Sequence, residues 1–119
     1  TLFGCGGDRD RTKRPIMGKV AGELSDYCIV TSDNPRTENP AAIIEDIMAG
    51  VKETDCEHIV IENRREAIGY ALSFSKHGDC VILAGKGHET YQIIGKTKNH
   101  FDEREVIAEC LAAMKKAEV

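Results

Sequence analysis

Three short apolar runs set the limits on what this chain can fold into. They are Tyr27-Cys28-Ile29-Val30-Thr31, His58-Ile59-Val60-Ile61 and Cys80-Val81-Ile82-Leu83-Ala84. Each is too short for a buried helix and reads as a buried strand. Leu2-Phe3 reads as the end of a further strand. The segments between carry apolar residues three and four apart. Met17, Val20, Ala21 and Leu24 predict the core face of a helix from Pro15 to about Ser25. Ile43, Ile44, Ile47, Met48 and Val51 predict another from Pro40 to about Lys52, with Gly50 weakening its last turn. Ala67, Ile68, Ala71 and Leu72 predict a third, opened at Asn63 and closed by Gly78. Strand and helix that alternate in this way argue an α/β fold with a mainly parallel sheet. Cys80–Ala84, the most apolar run, is expected as a central strand.

The remaining segment breaks the alternation. Tyr91 to Ile94, Gly95-Lys96, and Thr97 to Phe101 read as a β-hairpin. Asp102 and Glu105 form a capping pattern for a last helix, with Val106, Ile107, Cys110, Leu111 and Met114 on one face.

With 119 residues, one domain over 1–119 is expected. The opening Thr1-Leu2-Phe3, without Met, predicts a domain cut from a longer protein. A net charge of −4 gives no reason for general affinity toward nucleic acid or anionic membrane. No run approaches the ~18 apolar residues of a membrane span. None of the five cysteines has the C-x-x-C spacing. Cys28 and Cys80 are expected as small buried hydrophobes, and no cysteine as catalytic or bridged, which fits a reducing cytosol. His58, His77, His88 and His100 have no ligand spacing, so no metal site is expected. His88-Glu89 opens like a zinc-protease motif, but Gln92 stands where the second histidine belongs.

Asp33-Asn34-Pro35-Arg36 lies between a strand and the Asn39-Pro40 helix start. In open α/β sheets this carboxyl edge is where ligands bind. Pro35 stiffens the loop. Arg36 can grip a carboxylate with two parallel hydrogen bonds. Asp33 can accept from an ammonium, and Asn34 can donate or accept. Such a set suits the zwitterionic end of an amino acid.

Two more loops fall at strand ends. Gly4-Cys5-Gly6-Gly7-Asp8-Arg9-Asp10 permits a tight turn with backbone near a ligand. It lacks the last glycine of the dinucleotide fingerprint, and no phosphate loop occurs anywhere. Arg9, Lys13 and Arg14 follow in a dense charged run, which is ordinarily a solvated face. Gly85-Lys86-Gly87-His88-Glu89 adds a carboxylate, Glu89, as a second ammonium acceptor.

Read together, the glycine loop with Lys13-Arg14-Pro15, Asp33-Asn34-Pro35-Arg36-Thr37 and Gly85-Lys86-Gly87-His88-Glu89 resemble the C-terminal domain of the Mur ligases of peptidoglycan synthesis. The likeness runs from about Phe3 to the last helix. The Asp-Asn-Pro-Arg signature looks like that of the branch that adds meso-diaminopimelate. The resemblance implies a Rossmann-like sheet, mostly parallel, with one antiparallel strand or hairpin and flanking helices. It implies that Arg9, Asp33, Asn34, Pro35, Arg36, Gly85 and Glu89 bind meso-diaminopimelate. Lys13, Arg14 and His88 would face the cleft on the ATP side. ATP and Mg2+ would be held mainly by a central domain, and the UDP-MurNAc-dipeptide by an N-terminal one. The protein would be a bacterial, cytoplasmic ligase, and this domain alone inactive. Two other readings fit the residues: a non-enzymatic α/β ligand-binding module, and the related ligases that extend folate with glutamate.

Overall fold

Alternation along the first two strands divides the interior in two. A computed structural model describes residues 1–117. β1 (Leu2–Phe3) and β2 (Tyr27–Val30) pair in parallel, Leu2 opposite Ile29 and Phe3 opposite Val30. Successive side chains on a strand point to opposite faces. Leu2 and Ile29 therefore pack with Ala67, Ile68, Ala71 and Val106. Phe3 and Val30 pack with Ile43, Ile44, Ile47, Met48 and Val51. β3 (Glu57–Val60) continues the parallel sheet in the order β1-β2-β3.

Helices α1 (Lys13–Leu24) and α2 (Pro40–Val51) lie on one side. Helices α3 (Arg64–Phe74) and α4 (Glu103–Ala117) lie on the other. The hairpin β4 (Tyr91–Ile94) and β5 (Thr97–His100) forms its own antiparallel sheet. The fold is α/β, mostly parallel with one antiparallel hairpin, as the alternation predicts.

The helix starts follow the local chemistry. The Asn39 side chain accepts from the Ala41 N–H at 2.9 Å, and Pro40 takes the first helical position. The Asn63 side chain accepts from the Glu66 N–H at 3.0 Å. Asp102 caps α4 by accepting from the Arg104 N–H at 3.0 Å.

Several expectations need correction. The run 80–84 is not central. Leu2 donates to Ile82 O and Ala84 donates to Leu2 O, both at 2.9 Å, so the run lies along the outer edge of β1. Ile82 is 53% exposed and Cys80 is exposed, not buried. Apolar content announces a strand but not which of its faces is covered.

The apolar stripe of α1 faces outward: Val20 is 49% and Leu24 83% exposed. Its inner face is Arg14, Gly18 and Gly22. α1 and α2 approach backbone to backbone; a Cβ on Gly50 would lie 1.8 Å from Pro15 O. Gly50 is thus a contact point that no larger residue can fill. The outward stripe lines an apolar groove with Phe3, Ala84 and Gly85. Helix α3 ends before Ser75, and Gly78 sits in the following turn with φ +92°. On α4, Val106 is buried and Leu111 exposed.

Candidate amino-acid site

The loops after β1, after β2 and after Leu83 leave the same sheet edge, and the hairpin joins them. The Gly7 N–H donates to Asn34 O at 2.7 Å. A Cβ on Gly7 would lie 1.8 Å from Pro35 O, so only glycine lets the first two loops touch. Asp8 closes this junction: its carboxylate accepts from the Thr37 hydroxyl at 2.6 Å.

Arg36 stands in the left-handed region, with φ +52°. That conformation costs on the order of 1 kcal/mol outside glycine. The hairpin enforces it: the Arg36 N–H donates to Ile93 O at 3.1 Å, and Arg36 O accepts from Gly95 at 2.7 Å. One guanidinium nitrogen donates to Gly7 O at 2.9 Å. Strain that neighbours hold in place points to function. Arg9 is exposed and donates to Asp8 O at 3.0 Å. Arg9 and Arg36 flank Gly6: a Cβ there would lie 3.6 Å from Arg9 Cγ and 2.9 Å from Arg36 Nη1.

Beneath these residues lies Lys86, only 2% exposed. Its Nζ donates to Tyr91 O at 2.8 Å and to Asn34 Oδ1 at 3.1 Å. It also lies 3.1 Å from Asp33 Oδ1 and 3.6 Å from Glu89 Oε1. The contact with Asp33 is an ion pair too oblique to be a hydrogen bond, which leaves Asp33 Oδ1 buried without a hydrogen-bond donor. The rings of Tyr91 and Phe101 lie 5.9 and 6.0 Å from the ammonium. Gln92 Nε2 donates to Asp33 O at 2.7 Å.

Asn34 Oδ1 also accepts from the Ile93 N–H at 2.9 Å. Its amide nitrogen is therefore turned toward Glu89, 3.5 Å from Oε1. Where the residue type left Asn34 free to donate or accept, the surroundings occupy its oxygen and make it a donor toward Glu89.

Asp33, Asn34, Pro35, Arg36, Gly85 and Glu89 thus come together, with Arg9 at the rim. Lys13 and His88 are exposed. Arg14 does not face a cleft: it is 1% exposed. Its guanidinium donates to both oxygens of Glu38 at 2.7 and 3.1 Å, to Asp46 at 3.0 Å and to Gly6 O at 3.1 Å. This pairing, helped by the Asp8 N–H, pushes the Glu38 carboxyl down to about 2. Burial pushes the Cys5 thiol up to about 11, which keeps it unreactive beside the glycine loop.

The sequence reading passed over Lys86, Glu38 and the Asp8–Thr37 pair. A lysine between two glycines at a strand end was the one available signal for Lys86. Among the described residues, no group of three or more His, Cys, Asp or Glu could hold a metal ion. Nor, among them, is any helix long and apolar enough to cross a membrane.

Comparison with known proteins bears on this geometry. A family model described as "Mur ligase, glutamate ligase domain" matches residues 1–87. The UDP-N-acetylmuramoyl-L-alanyl-D-glutamate--2,6-diaminopimelate ligase of Caldanaerobacter subterraneus subsp. tengcongensis is 61% identical over 115 residues, covering 97% of this chain and 24% of that protein. The protein of the same name from Gloeobacter violaceus is 60% identical over 111 residues, covering 93% and 22%. A solved structure of a UDP-N-acetylmuramoyl-L-alanyl-D-glutamate--2,6-diaminopimelate ligase superposes with a TM-score of 0.91 at 42% identity, covering 96% of this chain and 23% of that one. The chain spans roughly a quarter of the length of the curated relatives it matches.

Proposed function

The chain belongs to the Mur ligases, in their glutamate ligase domain, and on that premise we propose that it is the amino-acid-binding domain of an ATP-dependent ligase. That ligase adds meso-diaminopimelate to UDP-N-acetylmuramoyl-L-alanyl-D-glutamate in peptidoglycan synthesis, in the bacterial cytoplasm. One observation carries the reading: Arg36, Asn34, Asp33 and Glu89 converge on one sheet edge with opposite charges side by side.

Diaminopimelate carries an ammonium and a carboxylate at each end. Arg36, with Arg9 at the rim, offers guanidinium donors to the distal carboxylate. The Asn34 amide adds a neutral donor. Asp33 and Glu89 accept from the distal ammonium, and the Gly85 carbonyl offers a further acceptor. The near amine is then left free to attack. ATP, with Mg2+, would activate the dipeptide carboxylate as an acyl phosphate in the other parts of the protein. This domain's share is to hold the amine in line, a proximity effect that can lower a barrier by several kcal/mol. It would also complete the ATP pocket as the domains close.

Specificity follows from the same groups. Lysine has no distal carboxylate, so Arg36 would be left without its anion. Sites that bond a polar group reject the analogue lacking it by about 10⁴-fold or more. The test is kcat/KM of the full-length protein for diaminopimelate, lysine and glutamate. Diaminopimelate should win by orders of magnitude. A preference for lysine overturns the reading of the Asp33–Arg36 loop, and one for glutamate favours the folate-extending alternative.

A further inference from the structure

Lys86 stands apart from the residues that line the site. An ammonium has three protons to donate. Two go to Tyr91 O and Asn34 Oδ1, and the remaining side faces Asp33 Oδ1 and Glu89 Oε1. At 2% exposure, with two protons donated and its last side turned to those two carboxylate oxygens, it has no free face for a ligand. Whatever it does for binding, it does through its neighbours.

Its position determines three things about them. It occupies Asn34 Oδ1, which turns the amide nitrogen toward Glu89 Oε1 as a donor. It holds Asp33 and Glu89, from two separate loops, through one oxygen each and leaves the other oxygen to a ligand ammonium. It places a positive charge between two carboxylates that would otherwise repel. We propose that Lys86 is the positioning residue of the amino-acid site: its buried ammonium selects which polar atoms of Asp33, Asn34 and Glu89 face the ligand. This rests on the amino-acid-binding reading above.

A lysine that merely held the fold together would, when lost, degrade every substrate's use alike. A positioning lysine moves the amino acid's KM and leaves the others. The experiment uses the full-length ligase and measures KM for ATP, for the UDP-MurNAc-dipeptide and for whichever of diaminopimelate, lysine and glutamate wild type uses best. Lys86→Met keeps the stem and removes the charge. It should raise the amino-acid KM about 10- to 100-fold. The other two KM values should stay within about twofold. Lys86→Gln, which keeps donors but no charge, should show the same split. Lys52→Met, exposed at the far end of α2, should match wild type. Thermal melts identify any variant that fails to fold. Equal rises in all three KM values, an amino-acid KM within twofold of wild type, or failure of both Lys86 variants to fold would each overturn the proposal. Failure of the functional reading looks different: wild type prefers lysine or glutamate, and the KM split is then read on that amino acid.

Discussion

Arg14 and Lys86 are both buried cations beneath loops at one sheet edge, and they differ in what their partners have left to give. Arg14 takes both oxygens of Glu38, which also accepts from the Asp8 N–H at 2.6 Å. Asp46 Oδ2 is shared with Arg11 as well. Apart from the Arg14 Nε, buried without a hydrogen-bond partner, that network is closed on itself. Lys86 takes one oxygen of Asp33 and one of Glu89, and turns the Asn34 amide toward Glu89. That network is open on one side. A closed polar network ties loops to a scaffold; an open one with the same chemistry can receive a ligand. Charge and burial alone do not tell the two apart.

The sharpest way to break the contrast is Arg14→Met. Removing one partner of an ion pair destabilises because the surviving charges lose their compensation. Here Glu38 and Asp46 would face an empty seat. The urea midpoint of the domain should fall sharply, by an amount set by that loss. A midpoint close to wild type, with a raised amino-acid KM, would move Arg14 from the scaffold to the site and erase the distinction.

A smaller effect, opposite in kind, is expected at Arg36. Arg36→Gly relieves a left-handed φ worth about 1 kcal/mol and loses a hydrogen bond to Gly7 O worth about as much, with a longer one to Asn34 O at 3.5 Å. Stability should stay near wild type, while kcat/KM for diaminopimelate falls about 100-fold or more through loss of the guanidinium. Arg36→Lys keeps charge but not the planar fork, so it should weaken diaminopimelate use without conferring lysine use. Unfolding curves and kcat/KM measured on the same preparations check both halves. A large drop in stability with Arg36→Gly would place Arg36 with the scaffold.

What could be read from the sequence follows how local each cause is. Asn39-Pro40 and Asn63 cap their helices through neighbours a few residues away, and both were legible. The three loops were legible as a set because each follows a strand. The outward stripe of α1 was not, because its inner face is chosen by the close approach of α2 and not by apolar content. Lys86 was not legible either. Its burial depends on Asn34, 52 residues earlier, and on the hairpin. A lysine's type argues for the surface until those partners are known.

The smallest expected effect is a difference in acid sensitivity, and it tests whether the Arg14 network is closed in the sense argued here. The Glu38 carboxyl is pushed down to about 2, first by its hydrogen bonds from Arg14 and then by the Asp8 N–H. A carboxylate whose value is depressed on folding adds stability above its unfolded value, and loses it as pH falls through its folded one. The unfolded value is near 4.5. Glu38 therefore contributes in full above about pH 4.5 and progressively less down to about pH 2. Glu38→Gln cannot titrate, so it should be less stable than wild type at neutral pH. Its deficit should shrink as pH falls through that window, because wild type gives up what the variant never had. Urea unfolding at pH 7, 4.5, 3.5 and 2.5 measures the gap. A gap that stays constant across the series would mean that Arg14 does not depend on the Glu38 charge, and that the closed network is held by shape rather than by pairing.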